Sequence, residues 1–265
     1  MTARPEERSP ERQVSENHGS ASGIGPGATR AGLDPGTPSL VRTEDLTRVY
    51  RVGAREVHAL QGVSLTVAQG EFVALRGRSG SGKTTLLNCI GGLDRPTSGR
   101  VWLEGKDVSR LPERKRVRLR RRRIGFVFQS FALLPTFSAR ENIDLMLRLA
   151  GVGRRERRRR VEHVLTLVGL QKWANHRPFE LSGGQQQRLA IARALSTRPG
   201  LILADEPTGE LDSVTGQQVL ELLRRIVDHE GTTVLMATHD LTVDLFADRV
   251  YHLEDGHVAL PGEES

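Results

Sequence analysis

An α/β fold with a mainly parallel sheet is what this sequence predicts, from three observations. The apolar run Phe72-Val73-Ala74-Leu75 is followed by a glycine-rich loop and then by Leu86-Leu87, the succession strand, loop, helix. Two further all-apolar runs, Leu201-Ile202-Leu203-Ala204 and Val234-Leu235-Met236-Ala237, have the composition of strands covered on both faces. Between them Val219 to Val227 carries helical spacing, and strand, helix, strand in that order implies a right-handed crossover in a parallel sheet.

In chain order, residues 1–38 hold prolines, glycines, serines and charges without an aromatic residue. That stretch cannot bury enough surface to offset its ordering entropy, so a disordered tail is expected there, with the folded domain over 39–262. Short runs at Leu46–Tyr50, Val57–Leu60 and Val63–Val67, broken by Gly53 and Gly62, read as antiparallel strands at one edge. A helix is expected from Thr84 to about Gly91, and a turn at Pro96-Thr97-Ser98-Gly99 before a strand at Arg100–Leu103. The segment from Arg110 to Arg123 carries nine basic residues and favours helix, and Ile124 to Phe128 reads as a buried strand ending at Gln129. Helical spacing returns in two pieces between Ala139 and Leu170, separated by Gly151 and Gly153. Arg249–Leu253 and His257–Leu260 flank Asp255-Gly256, a closing hairpin.

With 265 residues the chain can bury one ample core, or one core with a small satellite domain, and 37% hydrophobic content suits a globular protein. The net charge of +7 comes almost wholly from arginine, since lysine occurs only at positions 83, 106, 115 and 172. Such a balance favours anionic neighbours, nucleic acid or a membrane surface, unless the arginines simply solvate helix faces. The single cysteine, Cys89, excludes an internal disulfide and a multi-cysteine zinc site. No run approaches the eighteen or so apolar residues of a membrane span, and the start lacks an apolar secretion core, so a cytoplasmic chain is expected.

The chemistry begins at Gly77-Arg78-Ser79-Gly80-Ser81-Gly82-Lys83-Thr84-Thr85. The spacing G-x-x-x-x-G-K-T puts glycines where the backbone turns tightly and its amides converge on an anion, with a helix starting at the lysine. Lys83 would reach the terminal phosphates and Thr84 would hold a magnesium ion. At the end of the run 201–204 stand Asp205 and Glu206, which point to opposite faces of a strand and can take different tasks. Asp205 would bind magnesium and Glu206 would turn toward the attacking water, so the two motifs together indicate hydrolysis of a nucleoside triphosphate.

Leu181-Ser182-Gly183-Gly184-Gln185-Gln186-Gln187-Arg188 opens a strongly helical run, with Ser182 placed as its cap and glycines that leave amides open to an anion. This octet resembles the signature motif of the ATP-binding cassette (ABC) ATPases. The resemblance spans about Leu40 to Leu260, with the other motifs in the family's order. It implies a P-loop NTPase (RecA-like) core, an N-terminal antiparallel β subdomain and a helical signature subdomain at about 130–188, with ATP and Mg2+ as cofactors. Tyr50 then matches the aromatic residue that stacks on adenine. Gln129 matches the glutamine that touches magnesium and water, and His239 the switch histidine that contacts the terminal phosphate and orients Glu206.

In this family the nucleotide lies between two such domains, with Ser182, Gly183, Gly184 and Gln185 of one copy facing residues 77–85 of the other. The chain has one copy of each motif, so a second copy of itself is the expected partner. Gly209-Glu210-Leu211-Asp212 matches the loop that crosses this interface, although Glu210 stands where asparagine or alanine is usual and Arg78 where proline or asparagine is common. The phrases Leu60 to Leu65, Gly91 to Gly99 and Gly125 to Gln129 are similar to the export-type cassettes of lipoprotein release, macrolide export and division. That likeness implies a separate integral-membrane permease, met by the segment Phe131 to Asn142, and peripheral attachment to the inner face of the membrane. Two alternatives stay open: a division-type cassette acting mechanically, and a nucleic-acid-associated cassette using the arginine clusters at 110–123 and 154–160. The latter would carry coiled coils, zinc cysteines or tandem cassettes, none of which is here, and no specific nucleic acid is expected.

Overall fold

The structure is a computed structural model and describes Met1 and residues 39–259. The expected tail, Met1 aside, and residues 260–262 of the expected domain lie outside the described residues.

Strands β1 (Ser39–Val52) and β2 (Arg55–Ala68) pair antiparallel through the turn at Gly53. The three short strands expected here are therefore two long ones. Gly62, read as a break, lies within β2 at φ 73°, and the register shifts there, so the glycine makes a bulge that bends the strand without ending it. Strand β3 (Phe72–Arg76) leads into the phosphate loop and helix α1 (Lys83–Ile90). Strands β4 (Ser98–Leu103) and β5 (Lys106–Asp107) complete a four-stranded sheet of order β2-β1-β4-β5. These strands form the expected antiparallel β subdomain, a sheet of their own and not an edge of the main one, and their inward residues Leu46, Leu60, Val63 and Leu65 close over the main sheet's side chains.

Helix α2 (Glu113–Arg122) takes the basic segment and strand β6 (Ile124–Val127) follows it. Helices α3 (Ala139–Leu149) and α4 (Arg154–Leu167) precede α5 (Gly183–Leu195), strand β7 (Leu201–Asp205), helix α6 (Ser213–Glu230) and strand β8 (Thr233–Thr238). The hairpin β9 (Arg249–Glu254) and β10 (His257–Ala259) closes the described chain. The main sheet runs β10-β9-β3-β8-β7-β6, and all pairings except β9 with β10 are parallel.

The all-apolar strands follow from this position. Along β3, β7 and β8, Ala74, Ile202, Ala204, Val234 and Met236 face one core, which α5 and α6 cover, while Val73, Leu75, Leu201, Leu203 and Leu235 face a second, which α1 and the antiparallel sheet cover. A strand alternates its side chains, so burial on both faces demands an apolar residue at every position. The parallel order also brings the carboxyl ends of β3, β7 and β8 to one edge, where the candidate residues lie.

Candidate active site

The loop after β3 turns under α1 through Gly80 and Gly82, both left-handed (φ 83° and 105°). A Cβ on Gly82 would come 2.3 Å from the backbone oxygen of Ala59, so this position needs glycine for space as well as for φ. Lys83 is 6% exposed, and its Nζ donates to the carbonyls of Gly77 (2.8 Å) and Arg78 (3.0 Å). The ammonium stands 3.6 Å from Oε1 of Glu206, so a buried cation rests on two carbonyls and one long ion pair. Ser81 is also buried, and its Oγ has no hydrogen-bond partner among the described residues. A buried ammonium held only by two backbone carbonyls and a long ion pair, at the amide end of α1, is what a phosphate group would satisfy.

Opposite the loop, Thr84 donates its hydroxyl to Oδ1 of Asp205 at 3.1 Å. Burial raises the Asp205 carboxyl above the ordinary aspartate range and Glu206 pushes the same way, while Thr84 and Lys83 act to lower it. Among the described residues no three His, Cys, Asp or Glu side chains gather to hold a metal by themselves. One hydroxyl and one carboxylate suit Mg2+, which takes one or two carboxylates and completes its shell with phosphate oxygens and water.

Glu206, directly after β7, adopts a left-handed φ of 45° and anchors its N–H on the carbonyl of Ala237 at 2.9 Å. His239 follows β8, and its Nδ1 lies 3.0 Å from Oε2 of Glu206. Both line one cavity of about 690 Å³ with Arg78, Ser79, Gly80, Gly82, Lys83, Thr84, Thr85 and Gln129. Seven residues of the predicted loop, the glutamine, the glutamate and the histidine thus meet there from four strand ends. Asp205 reaches the site through Thr84, while Gly77 and Ser81 lie just behind the loop.

Tyr50, expected to stack on adenine, stands beside the loop, where its hydroxyl interacts with Thr85. The tyrosine hydroxyl donates to Asp94 at 2.6 Å and the guanidinium of Arg48 sits 4.2 Å from its ring centroid, and the ring does not line the cavity. Its cross-strand partner Val57 does, together with His58 and Ala59. Those three residues were not legible in the sequence, since a mid-strand Val-His-Ala carries no motif and only the closure of β2 over the loop turns it inward.

Ser182 caps α5 as its sequence predicts, accepting from the N–H of Gln185, whose side chain takes the N–H of Ser182 at 2.9 Å. A Cβ on Gly184 would strike Thr215 at 2.3 Å, and one on Gly183 would touch Leu211, so α5 begins against the start of α6. None of residues 182–185 lines the cavity. A second group missed in the sequence is Arg193 of α5. It donates to the carbonyls of Ala132 and of Phe131 (3.1 Å), two successive left-handed residues beyond Gln129, and so fastens that segment to the helix.

A doubly covered parallel sheet with a lysine-bearing phosphate loop, and a carboxylate pair at the neighbouring strand end, defines a P-loop nucleoside triphosphatase. The family profile described as ABC transporter matches residues 60–209, and the chain belongs to that family as an ABC-type ATPase. It is 50% identical over 215 residues to an uncharacterized ABC transporter ATP-binding protein of Thermotoga maritima, covering 81% of this chain and 91% of the relative. It is 48% identical to the lipoprotein-releasing system ATP-binding protein LolD 2 of Caulobacter vibrioides, covering 81% and 94%. The solved dimeric structure of the ATP-binding cassette MJ0796 of Methanocaldococcus jannaschii, in a post-hydrolysis state bound to ADP and Pi, superposes with a TM-score of 0.76. That pair is 44% identical, with 82% of this chain and 96% of the other covered.

Proposed function

We propose that this chain hydrolyses ATP as a pair of copies beneath a separate membrane permease of the export or lipoprotein-release kind. The observation that carries the reading is the division of the site. Phosphate loop, Gln129, Glu206 and His239 converge on one open cavity, while Ser182 to Gln185, the other half of a cassette site, sit at the start of α5 outside it. A single copy thus presents two half-sites, and pairing two copies head to tail completes both.

ATP brings the terminal phosphoryl group and Mg2+ the charge that stabilises its transfer. Around them Lys83 and the loop amides hold the phosphate oxygens, and Thr84 and Asp205 hold the metal. Glu206 accepts the proton of the attacking water at a carboxylate oxygen, His239 keeps that carboxylate oriented through Nδ1, and Gln129 positions the water. The signature residues 182–185 of the second copy close on the phosphates from the far side.

Attachment to the membrane follows from the permease, since no described helix is long and apolar enough to cross a bilayer. The likeness to a lipoprotein-releasing subunit supports the export branch. The experiment measures turnover per subunit against protein concentration, with ATP-dependent pairing followed by light scattering. Turnover that rises with concentration and tracks pairing is expected; high turnover independent of concentration would overturn the reading. For the branch, co-expression with candidate permeases should yield a complex whose ATPase rate changes with the permease present.

A further inference from the structure

Six arginines lie between residues 154 and 160, and they divide into two sets. Arg157 donates to Asp144 at 2.7 Å and to the carbonyl of Val152 at 3.1 Å. Arg160 is 5% exposed and closes the end of α5 by donating to the carbonyls of Leu195 (2.9 Å) and Ser196 (3.0 Å), with Glu230 at 3.5 Å. These two hold α4 against its neighbours. The other four, Arg154, Arg155, Arg158 and Arg159, are exposed and have no hydrogen-bond or ion-pair partner among the described residues. By themselves they line a concavity of about 440 Å³.

The arrangement works against the helix that carries it. Arg154 with Arg158, and Arg155 with Arg159, are like charges at i,i+4, where they repel. All four occupy the first two turns of α4, whose amide end is already positive, and Gly153 supplies no side-chain cap there. Glu156, the one acid of that turn, points to Arg198 at 3.5 Å. A merely solvating surface gains nothing from such crowding, whereas an external polyanion relieves every term at once.

We infer that this four-arginine face of α4 is a docking surface for the anionic phospholipid headgroups of the membrane. The inference rests on the functional reading above in placing the chain at a membrane. Planar guanidinium groups take phosphate oxygens two at a time, which favours arginine over lysine for this task, and the patch contains arginine alone. Each exposed arginine adds to the attraction exerted by an acidic leaflet. The patch has no aromatic side chain on which a nucleic-acid base would stack, which favours lipid over single-stranded nucleic acid.

The test uses the full chain and co-sedimentation with phosphatidylcholine vesicles, with and without one-third phosphatidylglycerol. Binding to the acidic vesicles only, weakened by salt, is expected. The variant Arg154→Gln/Arg155→Gln/Arg158→Gln/Arg159→Gln should bind them at least tenfold more weakly, at unchanged ATP turnover and with a melting temperature no lower than that of the parent. The matching all-lysine variant should retain part of the binding, which shows that the glutamine variant fails through charge and not through folding. A control carrying Arg114→Gln and Arg118→Gln on α2 should bind like the parent. Failure of the parent to bind acidic vesicles, equal binding by the glutamine variant, equal loss in the α2 control, or tighter binding to duplex DNA would each overturn the inference. Loss of ATP-dependent pairing would instead strike the functional reading and leave vesicle binding untouched.

Discussion

Nδ1 of His239 lies 3.0 Å from Oε2 of Glu206, and the backbone N–H of the same histidine donates to that oxygen at 3.3 Å. The end of β8 thereby fixes one oxygen of the carboxylate, while the other faces the ammonium of Lys83 at 3.6 Å. The left-handed backbone at Glu206 costs a non-glycine residue about 1–3 kcal/mol, and the N–H bond to Ala237 helps hold it there.

Glu206→Gln keeps the shape and both neighbours but removes the proton acceptor. Phosphate release should fall by about 10²–10⁴-fold, with binding of a fluorescent ATP analogue retained. His239→Ala should lower turnover as well, through a carboxylate left free to rotate. Turnover in the glutamine variant equal to the parent's would remove Glu206 from its role.

Asp205 offers a prediction about stability with a definite sign. Its carboxyl is raised by burial first and by Glu206 after it. A carboxyl raised in the folded state favours folding while protonated, and this contribution is lost as pH rises from the unfolded value through the folded one. At neutral pH the charge therefore burdens the nucleotide-free protein. Asp205→Asn should raise the melting temperature there by about 2 °C, roughly the effect of 1 kcal/mol in a chain this long. The gain should shrink as pH falls and the parent carboxyl becomes neutral, while magnesium-dependent nucleotide binding is lost. Melting curves across pH decide it; a gain that persists in acid would contradict the argument.

Glu210 is exposed and follows Gly209, whose added Cβ would lie 3.2 Å from Gln129, so its backbone stands close to a residue that lines the cavity. A negative group there opposes a triphosphate and a closing partner. Glu210→Asn should strengthen ATP-dependent pairing several-fold or raise turnover, as read by light scattering and phosphate release. Unchanged values in both would show that the side chain turns away into solvent.

Gly125 tests how β6 sits on α5. A Cβ there would come 2.6 Å from the carbonyl oxygen of Ala194, a backbone atom that cannot swing aside. Gly125→Ala should cost about 1–3 kcal/mol, seen as a lower urea midpoint at unchanged slope. The same change should shift Gln129, four residues along, and reduce turnover.

Helix α6 and strands β7 and β8 were legible because burial on both faces and helical spacing leave marks in adjacent residues. The front of the chain was less so. A glycine within β2 looks like a strand end until the bulge beside Thr47, whose hydroxyl accepts the N–H of Gly62 at 3.2 Å, is seen. The apolar runs alone did not show that these strands form a sheet apart, which only the family resemblance implied, since pairing between β1 and β4 links residues far apart in the chain.

By itself the sequence determined the phosphate loop, the paired carboxylates, the cap at Ser182 and the parallel core, because each depends on residues a few positions apart. Only the tertiary structure decided that Val57, His58 and Ala59 wall the cavity, that Tyr50 turns to Asp94, and that Arg193 grips the segment after Gln129. The arginines of α4 divide in the same way. Arginine codons read alike whether a side chain closes a helix end, as Arg160 does, or stands unpaired like Arg158, and only the packing of neighbouring helices tells a buried partner from open solvent.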